Sequence, residues 1–177
     1  MRLFVALDLP AHTRAALAAW ADAAAPPIVR RIPAENLHVT LAFLGSRSED
    51  EATTVGSRLT DVIRPLDPLR TAGALWLPRR HPGVLTVALQ DDEQLSGLQA
   101  DLAAELESAI DFESERRRFR PHVTVGRVPR GTRIDTRPAF DPPPPELEVR
   151  APALTLYRSH TGADGARYEV LSSVALV

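Results

Sequence analysis

Short apolar runs rich in β-branched and aromatic residues alternate along this chain with stretches of helical period. Leu3 to Leu7 reads as a first strand, and the Ala-rich stretch from Arg14 to Ala24 as a helix stopped by Pro26-Pro27. A strand follows over His38 to Leu44. Ser48-Glu49-Asp50-Glu51 has the S-x-x-E spacing of a capping box and predicts a helix to about Ile63, ended by Pro65 and Pro68. Ala74 to Leu77 and Val84 to Leu89 form a strand pair about a turn at Pro78 to Gly83. Asp92 to Ile110 is amphipathic, with acids in its first turn and Leu95, Leu98, Leu102 and Leu106 as its buried stripe.

His122 to Val128 is the next strand. The Pro142-Pro143-Pro144-Pro145 run predicts an extended, structural connection. Leu147 to Val149, Leu154 to Tyr157 and Tyr168 to Leu171 supply closing strands, the last two about a hairpin turn at Gly162 to Gly165. The order, roughly β-α-β-α-β-β-α-β-β-β-β, is that of an α+β fold in two similar halves, each an antiparallel sheet covered by helices.

A length of 177 residues with 44% hydrophobic content suits a single globular domain over residues 1–177 with a real core. No apolar run reaches the ~20 residues that span a bilayer, and Met1-Arg2-Leu3-Phe4-Val5 has no signal-peptide character, so a cytoplasmic protein is expected. The absence of cysteine excludes disulfides and a thiolate nucleophile. Net charge is only −2, too small to coat nucleic acid by charge alone, but its distribution is uneven. Asp91 to Glu115 holds nine acids and no base, whereas Arg116 to Arg137 holds eight arginines against Asp135 alone. All 21 basic residues are arginine, for which genomic composition is a sufficient cause, though guanidinium forks also suit bidentate phosphate contacts.

Candidate chemistry comes from one string that occurs twice, as His38-Val39-Thr40-Leu41-Ala42-Phe43 and as His122-Val123-Thr124-Val125-Gly126-Arg127. The period of a strand puts each His and its Thr on one face. If the two halves face each other, two imidazoles and two hydroxyls converge on one cleft, equipment for binding a phosphate and moving two protons. A lone strand histidine is more often structural, but the duplication makes that reading a poor one here. His12, His81 and His160 lack such a context and are assigned to surface or loop roles. Walker, G-x-G-x-x-G, G-x-S-x-G and H-E-x-x-H signatures are missing, and two histidines without carboxylates make a poor metal site.

Paired His-x-Thr motifs resemble those of the 2H phosphoesterase superfamily, and more narrowly of the RNA 2′,3′-cyclic phosphodiesterases, also called 2′-5′ RNA ligases. The similarity extends to Arg2-Leu3-Phe4-Val5-Ala6-Leu7, His38 through Gly45, Arg120-Pro121-His122 through Arg127, and Leu156-Tyr157-Arg158-Ser159. One departure is His160 to Ala166, where the family usually continues Ser-x-Leu and then Gly-Pro before the Tyr. The resemblance implies a bilobal fold with pseudo-two-fold symmetry and a metal-independent, cofactor-free hydrolysis of RNA 2′,3′-cyclic phosphate ends to 2′-phosphates. ATP-independent 2′-5′ ligation is an implied second activity, tRNA fragments are candidate substrates, and a monomer is expected. It further implies His122 as general base and His38 as general acid. Basic residues near His122 are expected to lower its pKa, while His38 holds its proton longer.

Thr40 and Thr124 are expected to donate hydrogen bonds to nonbridging phosphate oxygens. Arg127 lies where the family has an arginine, and its fork suits phosphate. Strand parity points it to the opposite face unless a bulge, for which Gly126 is the candidate, restores its direction. Phe43 occupies the matching offset in the first motif and reads equally as a nucleobase platform or a core aromatic. Arg116, Arg117, Arg118 and Arg120 read as RNA-backbone guides or as a solvated loop. Two rival functions stand beside the main one. One is another 2H activity, on small cyclic nucleotides or ADP-ribose cyclic phosphate; the other is a noncatalytic RNA-end-binding module.

Overall fold

The computed structural model describes residues 1–78, 83–90, 93–132, 134, 140–162 and 165–176. His81, Asp135, most of the Pro78 to Gly83 turn, the centre of the Gly162 to Gly165 turn and Asp92 at the expected helix start lie outside the described residues. In chain order the elements are β1 (Arg2–Asp8), α1 (Ala11–Ala24), β2 (Arg30–Arg31), β3 (His38–Ser46), α2 (Glu49–Arg58), β4 (Leu69–Leu77), β5 (Val84–Leu89), α3 (Gln94–Ala109), β6 (His122–Arg127), β7 (Glu148–Val149), β8 (Ala153–Gly162) and β9 (Gly165–Ala175). Short 3-10 turns lie at Ala34–Asn36 and Leu59–Val62.

The strands form one sheet in the order β7-β4-β5-β6-β3-β1-β8-β9, with β2 on β6 as well. The pairings between neighbours are antiparallel, so the architecture is the α+β one that the sequence implies. It is a sheet of two halves. β1 and β3 flank α1 as β5 and β6 flank α3, and the halves meet where β3 pairs with β6 through Val39 and Val123. The helices interlock beneath this joint, α1 packing against β6 and α3 against β3. Consequently the buried apolar cluster runs through both halves, from Leu3, Val5 and Leu7 through Val39 and Val123 to Leu154 and Leu156.

Local signals account for several of these elements. Ser48 Oγ accepts from the Glu51 amide at 3.1 Å and Glu51 accepts from the Ser48 amide at 2.9 Å, so the capping box starts α2. Leu95, Leu98, Leu102 and Leu106 are buried to within 1% exposure, as their spacing predicts. The first turn of α3 carries no acid, because Glu93 is the N-cap and the helix begins at Gln94. β8 and β9 are much longer than their apolar cores. Their outer ends are paired through polar residues such as His160 with Arg167 and Arg158 with Glu169, which apolar patterning does not reveal. The proline run is tied down, since Trp20 Nε1 donates to Pro142 O at 2.9 Å and Thr71 Oγ1 to Pro145 O at 2.8 Å.

Both motif strands carry a bulge at the same place. In β3, Ala6 faces Thr40 while Val5 faces Ala42, leaving Leu41 as an extra residue; in β6, Thr86 faces Thr124 while Leu85 faces Gly126, leaving Val125. An extra residue resets strand parity. Phe43 and Arg127 therefore return to the face that carries the histidines and threonines, and both are exposed there. Glycine is not the cause, since Leu41-Ala42 makes the same bulge without one. Gly126 is required for another reason: a Cβ there would press into Val29 Cγ1, where the chain entering β2 crosses it.

Gly126→Ala should therefore overpack this crossing and cost about 1–3 kcal/mol in chemical denaturation. A variant as stable as the parent would show that the crossing has room to relax.

Candidate functional site

The antiparallel Val39–Val123 pair fixes the site. Both valines are buried, so their neighbours on either side leave the sheet on the opposite face. Extending that register by one residue sets His38 beside Thr124 and Thr40 beside His122. The duplicated motifs thus do converge, across the joint between the halves.

Each imidazole is held in the same way. His38 Nδ1 lies 2.8 Å from the Asn36 carbonyl oxygen and His122 Nδ1 lies 2.7 Å from the Arg120 carbonyl oxygen. A carbonyl only accepts, so Nδ1 carries the hydrogen in both rings and Nε2 is left for chemistry. In the neutral His38 ring Nε2 is an acceptor, and Thr40 Oγ1, 3.0 Å away, donates to it. Asn36 also donates from Nδ2 to Ala166 O at 2.8 Å, which ties the turn that orients His38 to the β8–β9 hairpin. Arg120 thus contributes its backbone, while Arg116, Arg117 and Arg118 are exposed, Arg116 ion-pairing with Glu113 at 3.6 Å.

The floors beneath the two motifs differ. Under His38, Thr40 and Phe43 lie Asp8, Ala6 and Phe4; under His122, Thr124 and Arg127 lie Ala88, Thr86 and Val84. Phe4 stacks on the His38 ring at 4.8 Å and on Tyr157 at 5.2 Å, while Tyr168 meets His38 edge-on at 5.4 Å. The Asp8 carboxylate accepts from Tyr157 Oη at 2.6 Å and from Thr155 Oγ1 at 2.9 Å. Burial, that hydrogen bond and the Asp8 charge raise the Tyr157 pKa, keeping the phenol protonated. Sequence pattern alone does not single out Asp8 or the aromatic cage, apart from Phe4 and Tyr157 within their matched strings. The signals present in the chain are an acid that ends the first strand and aromatics placed inside apolar runs.

Burial in this cage lowers the His38 pKa to about 4; the Asn36 carbonyl and the Asp8 charge oppose the shift, and Arg127 and His122 reinforce it. The expectation that His38 holds its proton because its sequence neighbourhood is less basic is thus overturned for the free protein. Desolvation outweighs local charge, and the strongest basic influence on His38 comes from Arg127, which the fold brings across the joint. Arg127 acts on Tyr168 as well, so its charge reaches both the His38 ring and the tyrosine that meets it edge-on. Phe43 is 65% exposed, which excludes the core reading and leaves its ring open at the rim, 6.4 Å from Phe4. His12 is exposed, and His160 lies on β8 rather than in a loop, its Nε2 2.7 Å from Glu169 Oε2. Among the described residues no cluster of three or more metal-ligating side chains occurs, and no helix is long and apolar enough to cross a membrane.

A histidine whose folded pKa lies below its unfolded value of about 6.5 binds fewer protons when folded. Its contribution to stability is complete above that pH and is lost as pH falls through 6.5 toward 4. Nuclear magnetic resonance should therefore find His38 neutral at pH 6, and His38→Gln should flatten stability across this window relative to the parent. Protonation of His38 near 6.5 in the free protein would contradict the cage.

The 2′-5′ RNA ligase superfamily profile matches residues 9–163. A protein named RNA 2′,3′-cyclic phosphodiesterase from Escherichia coli (strain K12) is 31% identical over 190 aligned residues, covering 99% of this chain and 96% of the relative. Its namesake from Thermus thermophilus is 31% identical, covering 99% and 90%. The crystal structure of Escherichia coli LigT complexed with 3′-AMP superposes with a TM-score of 0.78 at 30% identity, over 99% of this chain and 97% of LigT. With both motifs meeting across one strand joint and similarity running the length of the fold, the chain belongs to the 2′-5′ RNA ligase superfamily of 2H phosphoesterases.

Proposed function

We propose that this protein hydrolyses RNA 2′,3′-cyclic phosphate ends to 2′-phosphates by acid–base chemistry between His38 and His122, without a metal. The observation that carries this reading is the meeting of two His-x-Thr edges at Val39–Val123. Support comes from the relatives named RNA 2′,3′-cyclic phosphodiesterase and from the nucleotide complex of LigT. We infer a cytoplasmic location from the nature of the substrate.

Opening the cyclic phosphodiester needs a base for the attacking water and an acid for the departing oxygen, on opposite sides of phosphorus. The two Nε2 atoms, one from each half, suit such an in-line displacement. His122 takes the water proton as water oxygen bonds to phosphorus, and His38 protonates the 3′-oxygen as its bond to phosphorus breaks. Thr40 and Thr124 donate to the nonbridging oxygens, and the Arg127 fork neutralises their charge. Phe43 stacks on the terminal base.

His38 must be protonated at that moment although it is neutral in the free protein. The substrate supplies the difference. One negative phosphate charge about 4 Å away, at an effective dielectric of about 20, is worth about 4 kcal/mol. That corresponds to about three pKa units, enough to bring His38 from about 4 to near neutrality. Occupation of Arg127 by the same anion removes part of the opposing charge.

His38→Ala and His122→Ala should each lower kcat about 10²–10⁴-fold on an RNA end bearing the cyclic phosphate. Phosphorus resonance spectroscopy of the wild-type product should show a 2′-phosphate. Near-normal rates in either variant would refute the paired mechanism, and a 3′-phosphate would reverse the two proton-transfer roles.

A further inference from the structure

β2 is two residues long, yet it occupies a decisive place. Beyond Val123 the β6 edge is taken over by Arg30 and Arg31, paired with Arg127 and Gly126. Arg30 and Arg127 are therefore directly opposed, and their side chains leave the sheet on one face, the face that carries His122 and Thr124. Two guanidinium groups rooted on one face of adjacent strands make that end of the face positive. Among the described residues no carboxylate ion-pairs with Arg127.

The Arg30 guanidinium does not turn away from the cleft. Its Nη2 lies 2.7 Å from where a Cβ on Gly165 would stand, at the start of the strand whose Tyr168 walls the His38 ring. Arg30 thus starts beside Arg127 on the β6 edge and ends against the β8–β9 hairpin. Gly165 has φ +123°, a backbone conformation that favours glycine, and its lack of a side chain leaves room for the guanidinium. The neighbouring Ala166 carbonyl is held by Asn36, so the hairpin is anchored where Arg30 meets it.

We propose that Arg30 forms a second phosphate subsite beside Arg127, binding the phosphodiester immediately upstream of the cyclic end and so favouring RNA chains over cyclic mononucleotides. The proposal rests on the function inferred above. Adjacent strands are ~4.8 Å apart, a separation two flexible arginines extend readily to that of successive phosphates on one strand. Arg127 takes the phosphate that reacts; Arg30 takes the one that does not. A cyclic mononucleotide has nothing to offer the second.

The test compares kcat/KM for a ribotrinucleotide ending in a 2′,3′-cyclic phosphate with that for 2′,3′-cyclic AMP. Arg30→Ala should lower the ratio of the two about tenfold, through KM for the trinucleotide, as expected for loss of one charge-assisted hydrogen bond. The slope of log(kcat/KM) for the trinucleotide against log salt should become shallower by about 0.7. Arg30→Lys should keep the slope while recovering only part of the ratio. An unchanged ratio, or equal losses on both substrates, would overturn the subsite and leave the catalytic reading standing. Wild-type protein that turned over neither substrate would overturn both.

Discussion

One backbone pairing organises this molecule. Val39 and Val123 sit opposite each other where β3 meets β6, and both are buried. Because side chains alternate, burying the two valines obliges His38, Thr40, His122 and Thr124 to stand on the other face around the same point. A slip of one residue would submerge the histidines and expose the valines. The interlocking of α1 under β6 and α3 under β3 protects the register, since each motif strand packs on the helix of the opposite half. The geometry of the paired motifs and core packing are therefore one constraint.

Symmetry ends at the level of the floor. Asp8 lies beside His38 where Ala88 lies beside His122, and Phe4, Tyr157 and Tyr168 enclose only the first ring. The first motif's histidine thereby acquires a lowered proton affinity. The cage makes His38 costly to charge, while the Asp8 carboxylate favours its charged form. In the proposed reaction such a group takes up its proton with the substrate. A pseudo-symmetric scaffold thus gives its two histidines unlike surroundings by changing what lies under each, not the histidines themselves.

The duplicated string is legible in the sequence because it is local: spacing alone puts His38 with Thr40 and His122 with Thr124. The α3 stripe and the Ser48–Glu51 cap are legible for the same reason. The direction of Arg127 is only half legible. Parity alone sends it to the opposite face; Gly126 marks the place of the bulge that turns it back, but the matching Leu41 bulge that turns Phe43 back has no glycine and is set by register with β1. Nor is the His38 pKa readable, because nearby charge in sequence is a poor guide to desolvation in a cage assembled from β1, β8 and β9. Arg30 gives no signal for want of a recognisable strand. Two residues have no periodicity, and only pairing with Gly126 and Arg127 reveals their direction.

The most direct test of the paired-motif site is a crystal structure with a 2′-nucleotide bound. It should show one phosphate at the joint, between the Nε2 atoms of His38 and His122, with Thr40 and Thr124 Oγ1 donating to its nonbridging oxygens. A phosphate held by a single motif, or bound away from Val39–Val123, would contradict it.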